Sequence, residues 1–86
     1  MSIAYYYVMN EDYSMINKKI ALKVKFERLK KNLSQEELAF RANLNKNTIW
    51  KIETERVSPT VETLDKIAKA LGLDFSTLVD ISKVEL

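Results

Sequence analysis

SQEELAFRANLNKNTIWKIE, residues 34–53, is the stretch whose reading decides the fold of this chain. Its first four residues, Ser34 to Glu37, form a capping box: the Ser34 hydroxyl can accept from the N–H of Glu37, whose carboxylate reaches back. A helix started in this way turns Leu38, Ala39 and Ala42 inward. Asn43 then sits where the chain must turn, because Asn enters the left-handed backbone region more easily than any residue but Gly. Asn45 can cap a second helix, with Ile49 and Ile52 on its buried side. The local plan is two short capped helices across a tight turn.

The flanking sequence supplies further helices. Asn17 can cap a helix running to about Lys31, with Ile20, Val24 and Leu29 placed to face the core. Leu22 and Phe26, four residues apart, form a second apolar strip that is a candidate dock for the N-terminal tyrosines. Residues 1–17 have a different character: Ile3 to Val8 is aromatic and β-prone, and Asn10, Glu11 and Asp12 make a polar break. That segment reads as an extended arm with a short strand, packing on the domain or on a second copy. Beyond the central motif, Thr60 caps a helix from Val61 to Leu71 with Leu64, Ile67, Ala68 and Leu71 inward, and Gly72 stops it. Asp74 caps a last short helix carrying Phe75, Leu78 and Val79, and Ile81, Val84 and Leu86 trail behind. The expectation is an all-α, compact five-helix domain over 18–79 with its motif at 34–53, an arm over 1–17 and a tail over 80–86.

Composition narrows the function classes. Eighty-six residues with one Gly and one Pro suit one small helical domain with little room for an enclosed active-site cavity. Without Cys or His there is no disulfide framework, no thiolate metal site and no histidine general base. No cofactor, metal or small-molecule ligand is expected, and no enzymatic activity. No apolar run approaches the ~20 residues of a membrane span, and the start lacks the basic region and apolar stretch of a signal peptide. A cytoplasmic protein is therefore expected. The net charge of +2 is unevenly spread: −2 over residues 1–17, +7 over 18–51 and −3 over 52–86. A basic face of this kind suits a polyanion, although Lys-rich helices also serve solubility alone.

These pieces together resemble the lambda-repressor-like, Cro/Xre-type helix-turn-helix family. The matching residues are LSQEELA (Leu33 to Ala39), the inward Ile49 and Ile52 with Glu53, and SPTVETLDKIAKALGL (Ser58 to Leu73). The resemblance spans about sixty residues, from roughly Ile20 to Val79. It implies binding to double-stranded DNA, with the second motif helix, about 45–53, lying in the major groove. Asn45, Lys46, Asn47, Thr48 and Lys51 would lie along the exposed side of that helix, and Gln35 would bond the DNA backbone at the start of the first. A helical wheel independently points Asn47 and Lys51 away from Ile49 and Ile52. Asn can bond adenine through both a donor and an acceptor, and Lys can donate to guanine, so Lys46, Asn47 and Lys51 could read bases. The alternative for each is a solvated surface side chain.

Arg28 and Glu53 match a pair that bridges the first and third helices of relatives, a structural ion pair. Two positions that are usually Gly in the family, Asn43 and Glu55, are not Gly here. Glu55 resists a positive φ, so the loop Thr54 to Val57 is expected to differ in shape, with any phosphate contact there falling to Arg56. Trp50 stands where a small or polar residue is common. A buried or arm-packed indole is the first reading and contact with a thymine methyl or sugar the second. The functional expectation is a transcriptional regulator, a repressor or autoregulator, acting as a homodimer on a near-palindromic operator. Phe75, Leu78, Val79 and Ile81 are the candidate dimer surface, and a partner protein or protein abundance would regulate it. The alternative is a protein-interaction module of the same fold without DNA binding.

Overall fold

The computed structural model describes residues 3–86, with side chains described from Ser14 onward. Five helices follow in order: α1 (Ile3–Lys30), α2 (Gln35–Arg41), α3 (Thr48–Glu53), α4 (Val61–Ala70) and α5 (Phe75–Leu78). There is no strand among the described residues.

The first helix overturns part of the expectation. It runs back to Ile3, so residues 3–17 are helical rather than an extended arm with a strand. No Gly or Pro interrupts residues 1–30, and a helix already nucleated downstream extends through β-prone residues one hydrogen bond at a time. Asn17 consequently lies inside the helix instead of capping it, and its Nδ2 donates to Ser58 Oγ at 2.9 Å. The proposed docking of the N-terminal tyrosines concerns side chains outside the described residues. The continuous backbone nonetheless carries Tyr5 to Tyr7 along the axis, away from Leu22 and Phe26. Those two remain exposed beside the tail, lining with Lys23, Asp80, Lys83, Val84 and Glu85 a shallow groove of about 380 Å³.

The core gathers Ile20 and Val24 of α1, Leu38 and Ala39 of α2, Ile49 and Ile52 of α3, and Leu64, Ile67 and Ala68 of α4 around Leu71 and Leu78. Each fully buried aliphatic side chain contributes about 1.5–3 kcal/mol. Leu29, expected inside, is 52% exposed. At roughly 100° per residue it stands nine positions, or about 180°, from Ile20, and the inward place in the last turn of α1 goes to Arg28.

Helices α1 to α4 all end in the same way. In each, two successive N–H groups bond back to carbonyls of the last turn, as in Leu44 N to Ala39 O and Asn43 N to Phe40 O. The residues that carry the left-handed turn are Asn32 (φ 56°), Asn43 (φ 54°), Glu55 (φ 61°) and Gly72 (φ 70°). Only one of the four is glycine. The Thr54–Val57 loop therefore keeps the left-handed turn despite Glu55, contrary to the expected change of shape, because two hydrogen bonds hold it: Glu55 N to Ile52 O at 3.1 Å and Arg56 N to Lys51 O at 2.8 Å.

Candidate nucleic-acid interface

The capping box forms as the sequence requires, with Ser34 N donating to Glu37 Oε1 and Glu37 N to Ser34 Oγ, both at 3.0 Å. These bonds from Ser34 hold the Glu37 carboxyl below its ordinary range. The box fixes the start of α2, and Gln35 follows at its first position.

Gln35 is half-buried, and its Nε2 donates to Glu53 Oε1 at 3.1 Å. That carboxylate is the centre of a network between helices. Arg28 Nε and Nη2 grip it in a fork, at 2.8 Å to Oε2 and 2.9 Å to Oε1, while Arg28 Nη1 donates to the Leu33 carbonyl at 2.7 Å. The side chains are only 8% and 3% exposed. The hydrogen bond to Glu53 raises the Arg28 pKa above its ordinary value, against the opposing effect of burial. A planar, forked guanidinium is well matched to this bidentate task. The network joins α1, the start of α2 and the last residue of α3, and so fixes how α3 sits on the domain.

The second motif helix is shorter than expected, covering Thr48–Glu53 rather than beginning just after Asn45. The Asn45 side chain accepts from Asn47 N at 3.0 Å, two residues on, and its carbonyl accepts from Thr48 N at 2.9 Å. This local turn competes with a regular helical first turn. Asn47 becomes the N-cap residue, its carbonyl accepting from Lys51 N at 3.0 Å. Lys46 and Asn47 thus lie in the entry turn, at the tip of the helix.

Ile49 and Ile52 are buried, Thr48 is half-buried, and Asn45, Lys46, Asn47 and Lys51 are exposed. With the isoleucines inward, Asn47 points nearly opposite them, and Lys51 and Trp50 flank it at roughly 130° from the buried direction on either side. Lys46, Lys51 and Arg56 are in no salt bridge among the described residues, whereas Lys23, Lys30, Lys66 and Lys69 are paired with carboxylates. Three cations without a carboxylate partner among the described residues therefore stand at the tip and flank of α3.

Trp50 is not buried: it is 42% exposed. The Arg56 guanidinium lies over its ring at 5.1 Å from the centroid. Sequence reasoning treated the two residues separately, and the signal that joins them is their six-residue spacing across a Schellman ending, which turns the chain back over the helix. Of the candidate dimer residues, Leu78 is 1% exposed and closes the core, so it is withdrawn from that surface. Phe75, Val79 and Ile81 are half-buried and pack against the core from outside.

A short helix, a left-handed turn and a second short helix with a polar, cationic outer face define a helix-turn-helix domain. The family model described as "Helix-turn-helix" matches residues 24–78, and the chain belongs to this Cro/Xre-type helix-turn-helix family. It is 35% identical over 60 residues to the immunity repressor protein of Bacillus phage phi105, covering 70% of this chain and 42% of that protein. It is 38% identical over 55 residues to the control protein C.BamHI of Bacillus amyloliquefaciens, covering 64% of this chain and 68% of the other. The chain thus spans less than half of the phage repressor it matches. Among solved structures, a hypothetical transcription factor NHTF from Neisseria superposes with a TM-score of 0.71 at 28% identity, covering 74% of each chain. The wild-type restriction-modification controller protein C.Esp1396I superposes with a TM-score of 0.69 at 30% identity, over 78% of this chain and 92% of that one.

Proposed function

We propose that this chain is a sequence-specific double-stranded DNA-binding transcriptional regulator. The observation that carries the reading is the outer face of α3 and its entry turn, where Lys46, Asn47 and Lys51 are exposed and neither lysine is in a salt bridge among the described residues. Asn47 and Lys51 have the chemistry to read adenine and guanine edges, with Lys46 beside them. Asn45 and Thr48 shape the entry of the helix, and Gln35 and Arg56 take phosphates on either side. Arg28 and Glu53 fix the helix without touching DNA. The repressor and controller names of the relatives support the reading, and a cytoplasmic location goes with it.

The regulator acts as a homodimer. Two α3 helices about 34 Å apart would enter successive major grooves and read a near-palindromic site. Phe75, Val79 and Ile81 supply apolar surface for that contact. The Lys and Asn side chains at the tip of α3 offer little apolar area to a protein partner and weigh against the alternative of an interaction module without DNA binding, the exposed Trp50 being the apolar feature of that face. A gel-shift titration over a range of salt tests the reading. Affinity should fall steeply as salt rises, because each phosphate neutralised contributes a slope of about −0.9. Binding that is absent on every sequence, or indifferent to salt, would refute it.

A further inference from the structure

We propose that Trp50 is the positioning residue of a DNA-backbone clamp, holding the Arg56 guanidinium so that it takes a phosphate at the edge of the groove that α3 enters. The inference rests on the DNA-binding reading and deepens it.

The Trp50 indole stands on the outer face of α3, 42% exposed. What covers part of it is Arg56, at 5.1 Å over the ring. The backbone brings the two together. Thr54 Oγ1 donates to the Trp50 carbonyl at 2.7 Å, and Arg56 N donates to the Lys51 carbonyl at 2.8 Å. Glu55 accepts a φ of 61° to make this reversal. The loop therefore returns Arg56 over the helix it has just left, instead of letting the side chain run into solvent.

A guanidinium held over a ring by a cation–π contact still has five N–H donors to offer a phosphate. Among the described residues Arg56 makes no salt bridge and no side-chain hydrogen bond, so those donors are available. The contact with the ring also restricts rotamer freedom that a phosphate contact would otherwise have to quench. Because Trp50 flanks Asn47 opposite Lys51 on the outer face, the clamp lies beside the base-reading residues. Its effect is sequence-independent: it seats α3 against the backbone.

An uncharged residue that acts through a charged one has a signature that simple packing lacks. On one DNA site, recovered by selection with the wild type, Arg56→Ala should lower the slope of log K against log salt by about 0.9 and weaken binding roughly tenfold or more. Trp50→Leu, which keeps apolar bulk but has no π face, should lower the same slope although no charge is removed, and Trp50→Phe should restore most of it. The Trp50→Leu/Arg56→Ala double variant should have the slope of Arg56→Ala alone. Thermal unfolding of every variant separates loss of fold from loss of the clamp. As the chain's single tryptophan, Trp50 also reports directly: its emission should change on DNA binding in the wild type.

An unchanged salt slope in folded Trp50→Leu, or in Arg56→Ala, overturns the clamp. If that occurs while Asn47-dependent recognition persists, the clamp fails alone. Wild-type protein that binds no DNA in a salt-dependent way ends the DNA-binding reading and the clamp with it.

Discussion

Replacing Arg28 by alanine removes three hydrogen bonds in a place water hardly reaches. The Glu53 carboxylate, 3% exposed, loses both forked donors and keeps only the amide of Gln35, at 3.1 Å. The buried Leu33 carbonyl loses its 2.7 Å side-chain donor. Breaking a buried pair from one side costs about 3–5 kcal/mol, because a charge is left desolvated and unpaired. A domain of this size has roughly 4–13 kcal/mol in total, at about 0.05–0.15 kcal/mol per residue. Arg28→Ala should therefore consume about a quarter or more of the stability and lower Tm by at least about 12 °C, at 4–8 °C per kcal/mol. The assay is urea unfolding followed by circular dichroism, with thermal melts beside it. The Arg28→Met/Glu53→Met double variant sets the scale, since removing both charges should cost clearly less than the two single changes added together. A cost below about 1 kcal/mol for Arg28→Ala, the range of an exposed surface pair, would refute the claim that this network anchors α3.

Other outcomes follow from particular side chains. Glu55→Gly should raise stability by about 1 kcal/mol, since glycine adopts the left-handed conformation at φ 61° without a Cβ penalty; an unchanged or lower urea midpoint would show that Glu55 is not strained. Gln35→Ala should weaken binding evenly on all DNA sequences and, through its bond to Glu53, modestly lower Tm; a change in base preference would contradict the backbone role. Stability should also decline as pH falls. The hydrogen bonds from Ser34 to Glu37 and from Ser82 to Asp80 hold both folded-state carboxyl pKa values below their unfolded ones. Their contributions are present above the ordinary carboxylate range and are lost as pH falls through the depressed values. Urea midpoints measured into acid should show this decline, smaller in Glu37→Gln, and an identical profile in that variant would remove the capping box as a cause.

The central motif was legible because its signals are local. A capping box, an Asn at a turn and two isoleucines three apart need only neighbouring residues to act, and each takes its expected place in the structure. The start of α1 was not legible, because Ile3 to Val8 is β-prone in isolation and the competing influence is a helix propagating from Asn17 onward. Leu29 was misplaced for a related reason: Arg28 takes the inward position, and only its partner Glu53, 25 residues away, makes an arginine acceptable there. Glu55 shows that a turn held by two hydrogen bonds can impose a positive φ that the residue alone resists. At the candidate site, the exposure of Asn47 and Lys51 followed from helix periodicity. The contacts of Gln35 with Glu53 and of Arg56 with Trp50 depend on how elements meet and on where a chain reverses, which no local pattern states.

Selection of bound DNA from a random pool, performed in parallel with wild type and Asn47→Ala and followed by sequencing, tests most directly whether the outer face of α3 reads DNA. The wild type should enrich one near-palindromic site with half-sites about 10 base pairs apart. The Asn47→Ala pool should lose preference at one base pair in each half-site, worth roughly 1–3 kcal/mol, and keep the rest. No enriched sequence from the wild type, or an identical site from both proteins, would contradict the account.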